Sequence, residues 1–142
     1  MLHQLGNEKL YYADPLFVSR SSHTGKIVAL AFNYPAEYEE KVPSSRDFSS
    51  YMNASPRKLD LTFTNLKAGT VFEIETLDKE HGNVYDDYCI MGMPHSPSRE
   101  EIGALKLKAW GTTKEIVRVN SNGTLTIKRA LTPWSCMLIR EL

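Results

Sequence analysis

An all-β fold, mainly an antiparallel β-sandwich of about seven to nine strands, is what this sequence predicts, and three observations predict it. Apolar residues alternate with polar ones at period two, as in Leu59, Leu61 and Phe63 against Asp60, Thr62 and Thr64. Turn signals return at short intervals, among them His23-Thr24-Gly25, Asn65 to Gly69 and Asn120-Ser121-Asn122-Gly123. No regular strand–helix alternation runs through the chain, which disfavours a parallel sheet with crossover helices. The one interruption is a short helix-loop-helix insertion at about 83–110.

The first strand covers residues 16 to 20 after Asp14-Pro15, and His23-Thr24-Gly25 turns it into a second, Lys26 to Asn33. The second strand is apolar at successive positions, which predicts a central strand covered on both faces. From Tyr34 to Pro56 neither helical nor strand period persists, giving a long excursion of a kind that is uncommon unless functional or disordered. Its Tyr34, Tyr38, Phe48 and Tyr51 argue against plain disorder. These aromatics suit either packing back on the sheet or a stacking surface for sugars.

Residues 59 to 64 form a strand with one wet face, and the turn Asn65 to Gly69 leads to Val71, Phe72, Ile74 and Leu77 as a hairpin or a sheet-to-sheet crossing. In the insertion, Asn83 caps a helix whose Val84, Tyr88 and Met91 share a face and which Gly92 ends. Beyond Met93 to Pro97, Ser98 and Glu101 make a capping box for a second helix, with Ile102, Leu105 and Ala109 on one side and Gly111 at its stop. Residues 116–119 and 125–127 flank Asn122-Gly123, the strongest short hairpin signal in the chain. Trp134 to Ile139 close the fold after Thr132-Pro133.

At 142 residues the chain fits one domain, residues 1–142, and buries roughly 68–70% of its unfolded surface without disulfide support. Its 17 Lys+Arg balance 17 Asp+Glu with no basic stripe, so no footprint for nucleic acid or an anionic membrane is visible. Cys89 and Cys136 lie apart beside apolar residues and read as buried free thiols. The N-terminus lacks a basic and apolar leader pattern, which gives a soluble, cytoplasmic expectation, with an upstream segment left open. The leucines at 2, 5 and 10 suit the end of a helix within residues 1–12.

Nucleotide cradles and a nucleophile elbow are missing, and the histidines at 3, 23, 81 and 95 show no metal-ligand spacing. Neither a metal nor a cofactor is therefore expected. His81 lies among Asp78, Glu80, Asp86 and Asp87, an arrangement that reads as a solvated turn and helix N-terminal acids before it reads as a reactive site. No pair of carboxylates is singled out for glycosidic chemistry.

The run Thr76 to Tyr85, then Met91-Gly92-Met93-Pro94, Pro97 to Ile102 and Leu105, resembles the C-terminal β-sandwich of glycoside hydrolase family 39, the β-xylosidase and α-L-iduronidase family. Asp78, His81, Asn83, Tyr85, Met91, Gly92, Pro94, Pro97, Glu100 or Glu101, Ile102 and Leu105 fall on that family's pattern. Leu5-Gly6, Thr24-Gly25 leading to Leu30 through Tyr34, and Gly123 to Leu131 extend the likeness over nearly the whole chain. Cys89, Ile90 and Phe32 depart from it where the family often has tryptophan. The resemblance implies an accessory domain without catalytic residues, because the family's catalytic glutamates lie on a (β/α)8 barrel that no part of this chain resembles. It implies that barrel, in the same polypeptide, as partner, and residues 1–12 as a remnant of its last helix. Xylo-oligosaccharide is the alternative ligand, with Tyr34, Tyr38, Tyr51 and Trp110 as candidate sugar or interface contacts. An interface role also predicts one unusually apolar surface.

Overall fold

The computed structural model describes residues 7–34 and 55–142. Eight strands and two helices follow in chain order: β1 Asn7–Ala13, β2 Leu16–Ser21, β3 Ile27–Asn33, β4 Arg57–Phe63, β5 Val71–Leu77, α1 Tyr85–Ile90, α2 Arg99–Ala109, β6 Thr113–Arg118, β7 Leu125–Leu131 and β8 Ser135–Glu141. A six-stranded antiparallel sheet, in the order β1-β2-β3-β8-β5-β6, faces a two-stranded sheet of β4 and β7. The all-β sandwich with a helical insertion is therefore the observed architecture. The last strand, β8, does not edge the sheet but lies in its middle, pairing with β3 and β5.

The period of two sorts the side chains. Val18, Ile27, Ala29, Ala31, Phe72, Ile74, Met137 and Ile139 point from the large sheet into the core, and Leu59, Phe63, Leu125, Ile127 and Leu131 meet them from the small one. Phe63 and Phe72 stack across the gap with centroids 5.8 Å apart. The small sheet's other face carries Lys58, Asp60, Thr62, Thr126 and Lys128, so it is the wet face that the alternation predicts.

Four expectations are corrected. Residues 7–12 are strand, not helix, because β1 pairs with β2 from Asn7 opposite Ser21 to Ala13 opposite Leu16. The β3 strand is central, but its two faces are not covered alike: Ala29 and Ala31 are fully buried, whereas Val28 and Leu30 on the other face are 38% and 39% exposed. The Asn-Gly turn forms, with Asn120 N–H donating to Thr124 O at 3.0 Å, yet its flanking strands enter different sheets and do not pair as a hairpin. The predicted apolar faces of the helices do not reach the core: neither α1 nor α2 contains a buried residue. The turn at Asn65–Gly69 is likewise a sheet-to-sheet crossing, from β4 to β5.

Strand registers divide the connections between two ends. The β2–β3, β4–β5 and β6–β7 turns lie at one, where Leu66 N–H donates to Gly123 O and Val119 N–H to Thr70 O. Gly123 has φ +72 and a Cβ there would stand 2.6 Å from Leu66 O, so only glycine allows this contact. The other end collects the β1–β2 turn, Tyr34, Ser55, the two helices and the Leu131–Ser135 link. Asn33, buried, ties it together: its Nδ2 donates to Leu131 O at 2.9 Å and to Ser55 O at 3.3 Å, and its carbonyl accepts from Trp134 N–H at 2.8 Å.

Replacing that amide leaves two carbonyls without their donor, at a cost of roughly 1–3 kcal/mol. Asn33→Ala is thus expected to lower Tm by roughly 3–10 °C for a chain of this size. A thermal melt in which Asn33→Ala matches the parent would show that the tie is dispensable.

Candidate functional site

The end of the sandwich held by Asn33 carries most of the chemistry that the sequence singles out. Tyr34 follows β3 directly, is 38% exposed, and meets Trp134 edge-on with centroids 4.9 Å apart. Trp134, which in the sequence reads only as the start of a strand, has φ +62, a left-handed conformation that costs a bulky residue energy and is held by its bond to Asn33. Tyr38 and Tyr51 lie outside the described residues. Trp110, the last candidate, closes α2 and is 85% exposed. Tyr34 and Trp110 therefore stand on different elements, and Tyr34 spends part of its ring surface on Trp134.

Beyond β5 the chain turns through Asp78. One carboxylate oxygen, Oδ1, accepts from Glu80 N–H, His81 N–H and His81 Nδ1, each at 2.9 Å. That geometry makes Asp78 and His81 pins of a turn. Asn83 Oδ1 accepts Tyr85 N–H at 2.9 Å, so the asparagine stabilises the start of α1 from one residue before the cap position at Val84. Gly92 at φ +81 ends α1, and the Tyr88 hydroxyl donates to Pro94 O at 2.9 Å. The capping box of α2 is complete: Glu101 N–H donates to Ser98 Oγ and Ser98 N–H to Glu101 Oε2.

These two segments enclose a cleft of about 560 Å³ lined by Lys79, Glu80, Asn83, Asp86, Asp87 and Lys108. Lys108 pairs with Asp87, and Lys79 with Asp86 at 3.6 Å. Gly82, at φ +79, lets the turn close on the link between α2 and β6, since a Cβ there would stand 2.8 Å from Thr112 Cγ2. Nearby, the Thr112 hydroxyl donates to Glu75 and holds that carboxyl below its ordinary pKa, with Lys114 and Arg140 adding to the effect against a burial cost. Burial, then the charge of Glu75, pushes the Cys136 thiol up. Cys136 and Cys89 are both free and half-buried. Among the described residues no group of three His, Cys, Asp or Glu side chains is placed to hold a metal ion, and no helix is long and apolar enough to cross a membrane.

A second surface lies on the outer face of the large sheet. Registers place Tyr12, Phe17, Leu30 and Leu138 in one row across β1, β2, β3 and β8, with Val28, Phe32 and Cys136 beside it. Tyr12 meets Phe17 at 5.4 Å and Phe17 meets Phe32 at 5.5 Å between centroids. Toward β5 the face becomes charged, where Arg140 pairs with Glu73. The row's residues are legible in the sequence as apolar but not as outward-facing.

Neither a family model nor a curated protein matches the sequence. Solved structures match in fold. The GH39 enzyme from Xanthomonas axonopodis pv. citri superposes with a TM-score of 0.68 at 17% identity, over 99% of this chain and 28% of that one. A monomeric β-xylosidase from Caulobacter crescentus CB15 gives 0.63 at 15% identity, over 94% and 27%. A GH39 β-xylosidase from Caulobacter crescentus gives 0.55 at 14% identity, over 99% and 25%. At these identities the likeness establishes a shared fold, the one that the resemblance of Thr76 to Leu105 implies. The chain spans about a quarter of the length of the structures it matches.

Because α2 buries nothing, its cap is expected to act locally. Ser98→Ala should weaken the first turn by about 1 kcal/mol, read as roughly fivefold faster amide exchange at Glu101 and Ile102, with the global Tm unchanged. The Ser98 backbone N–H, then its hydroxyl, holds the Glu101 carboxyl below its ordinary value. The contribution is therefore full above the unfolded carboxyl pKa and is lost as pH falls through the lowered folded value. Equal exchange in parent and variant at neutral pH would refute the box as a stabilising element.

Proposed function

We propose that this chain is the accessory β-sandwich of a family 39 glycoside hydrolase of β-xylosidase type, non-catalytic by itself, which packs on and supports a catalytic (β/α)8 barrel in the same polypeptide. The observation that carries the reading is the unequal treatment of the two sheets. The small sheet turns lysine, aspartate and threonine outward, whereas the large one turns out Tyr12, Phe17, Val28, Leu30, Phe32 and Leu138. An apolar row of this extent, rimmed on one side by the Arg140–Glu73 pair, is the composition of an interface with a hydrophobic centre and polar edge. The fold likeness to about a quarter of each hydrolase chain supports a barrel as the occupant. The reading is also consistent with Asp78 and His81 serving a turn.

The test joins the chain to its barrel and substitutes the outer face. Leu30→Glu is expected to leave the isolated chain within about 0.5 kcal/mol of the parent, as exposed substitutions do. In the joined protein it should lower the barrel's melting temperature and impair nitrophenyl-xyloside turnover, while the chain alone shows no turnover. A barrel with the same melting temperature and kcat with and without this domain would overturn the reading, and turnover by the chain alone would overturn its non-catalytic part.

A further inference from the structure

The turn from Asn120 to Gly123 joins β6 to β7 and holds the one Asn-Gly pair in the sequence, Asn122-Gly123. In such a pair a side-chain amide lies next to a backbone nitrogen whose residue carries no Cβ to obstruct it. We propose that Asn122 is a site of spontaneous deamidation, that the fold restrains the reaction by holding the Gly123 nitrogen in the turn, and that the isoaspartyl product unfastens this end of the sandwich.

The reaction needs only the chain and water. The Gly123 nitrogen gives its proton to hydroxide and attacks Asn122 Cγ; a C–N bond forms, the Cγ–Nδ2 bond breaks, and ammonia leaves with a proton taken from water. Water then opens the resulting cyclic imide at either carbonyl. One opening gives aspartate, and the other gives isoaspartate, with the backbone rerouted through the side chain.

Two observations set the rate. Asn122 is exposed and its side chain has no hydrogen-bond partner among the described residues, so the electrophile is free to turn toward the backbone. The nucleophile is not free. Gly123 is buried and its N–H donates to Asn120 O at 3.1 Å, while Asn120 Oδ1 fastens the same turn by accepting Asn122 N–H at 3.0 Å and Thr124 N–H at 2.9 Å. Attack therefore waits for the turn to open, and the rate follows the open fraction.

A third observation sets the consequence. On one side of the turn Val119 N–H donates to Thr70 O at 2.9 Å and Val119 O accepts Gly69 N–H at 3.0 Å; on the other, Gly123 O accepts Leu66 N–H at 3.0 Å. Both feet of the turn are thus pinned to the β4–β5 link, and Gly123 approaches Leu66 so closely that a Cβ would stand 2.6 Å from its carbonyl oxygen. Isoaspartate places an extra methylene in the backbone between those pins, and aspartate does not.

The test incubates the full chain at mildly alkaline pH, folded and unfolded in guanidinium chloride, and follows conversion at Asn122 by peptide mass spectrometry, with isoaspartate separated from aspartate by chromatography. Conversion is expected to be at least about tenfold slower in the folded chain, as for any site that reacts only on local opening. Asn120→Ala, which removes the acceptor of two N–H bonds, should speed the folded-state reaction roughly fivefold or more and leave the unfolded rate unchanged, whereas Asn120→Asp keeps the acceptor and the slow rate. Should Asn120→Ala fail to fold, as its melting curve would show, the two parent rates decide the matter. The isoaspartyl fraction should melt below the parent, and Asn122→Asp should melt with it. Equal folded and unfolded rates would overturn the restraint, as would an unchanged rate in a folded Asn120→Ala. An isoaspartyl chain that melts with the parent would overturn the consequence, and absence of conversion at Asn122 in the unfolded chain would overturn the site.

Discussion

A single buried amide, that of Asn33, fixes the end of the molecule where the chain departs from simple sandwich geometry. The two sheets are unequal, six strands against two, and at the opposite end they are joined by backbone bonds at Leu66–Gly123 and Val119–Thr70. At the Asn33 end, one side chain spans from β3 to the end of β7 and to Ser55 before β4, while its own carbonyl receives Trp134. A neutral amide suits that position: it supplies one donor to the buried Leu131 carbonyl and one to that of Ser55, and it does so without the desolvation cost of a charge. Among the described residues, Tyr34, Ser55, the Trp134 turn and the two helices all lie at the end that this amide closes.

Local chemistry in the sequence reached as far as local structure does. The Ser98–Glu101 box, the Gly92 stop and the period of two in β4 were legible because each is decided within a few residues. Sheet membership was not, because an Asn-Gly turn reverses the chain without saying which sheet receives it; the bonds to Leu66 and Thr70 carry β6 and β7 into different layers. The β1 strand was masked by leucines at a spacing that also suits a helix, and it was pairing with β2 that decided the matter. The aromatic candidates are visible as residues, but no local signal marks Trp134, since its left-handed backbone depends on a partner about a hundred positions away.

The outer face of β3 shows a different limit. A run such as Ile27 to Phe32 says only that both faces are apolar, and an apolar face is covered equally well by the same domain or by another body. Ala29 and Ala31 are fully buried while Val28 and Leu30 are not, so this strand meets its own core on one side and offers the other. Sequence periodicity cannot separate these cases because the hydrophobic effect has no memory of chain connectivity.

The two surfaces also differ in how firmly they are held. The outer face runs from the edge strand β1 through β2 to β3 and β8, and the opposite side of those last two holds Ala31, Met137 and Ile139 at the centre of the core, so their part of the face opens only with the sandwich itself. The cleft is built on α1 and α2, which bury no residue and depend on caps, the Tyr88–Pro94 bond, the Asp87–Lys108 pair and the close approach of Gly82 to Thr112. Exposed ion pairs of this kind contribute little each, so the insertion is a unit that opens locally at small cost. A rigid apolar face is suited to permanent docking, where any loosening would expose the row from Tyr12 to Leu138. Because no helix residue enters the core, local opening of the insertion leaves the core undisturbed.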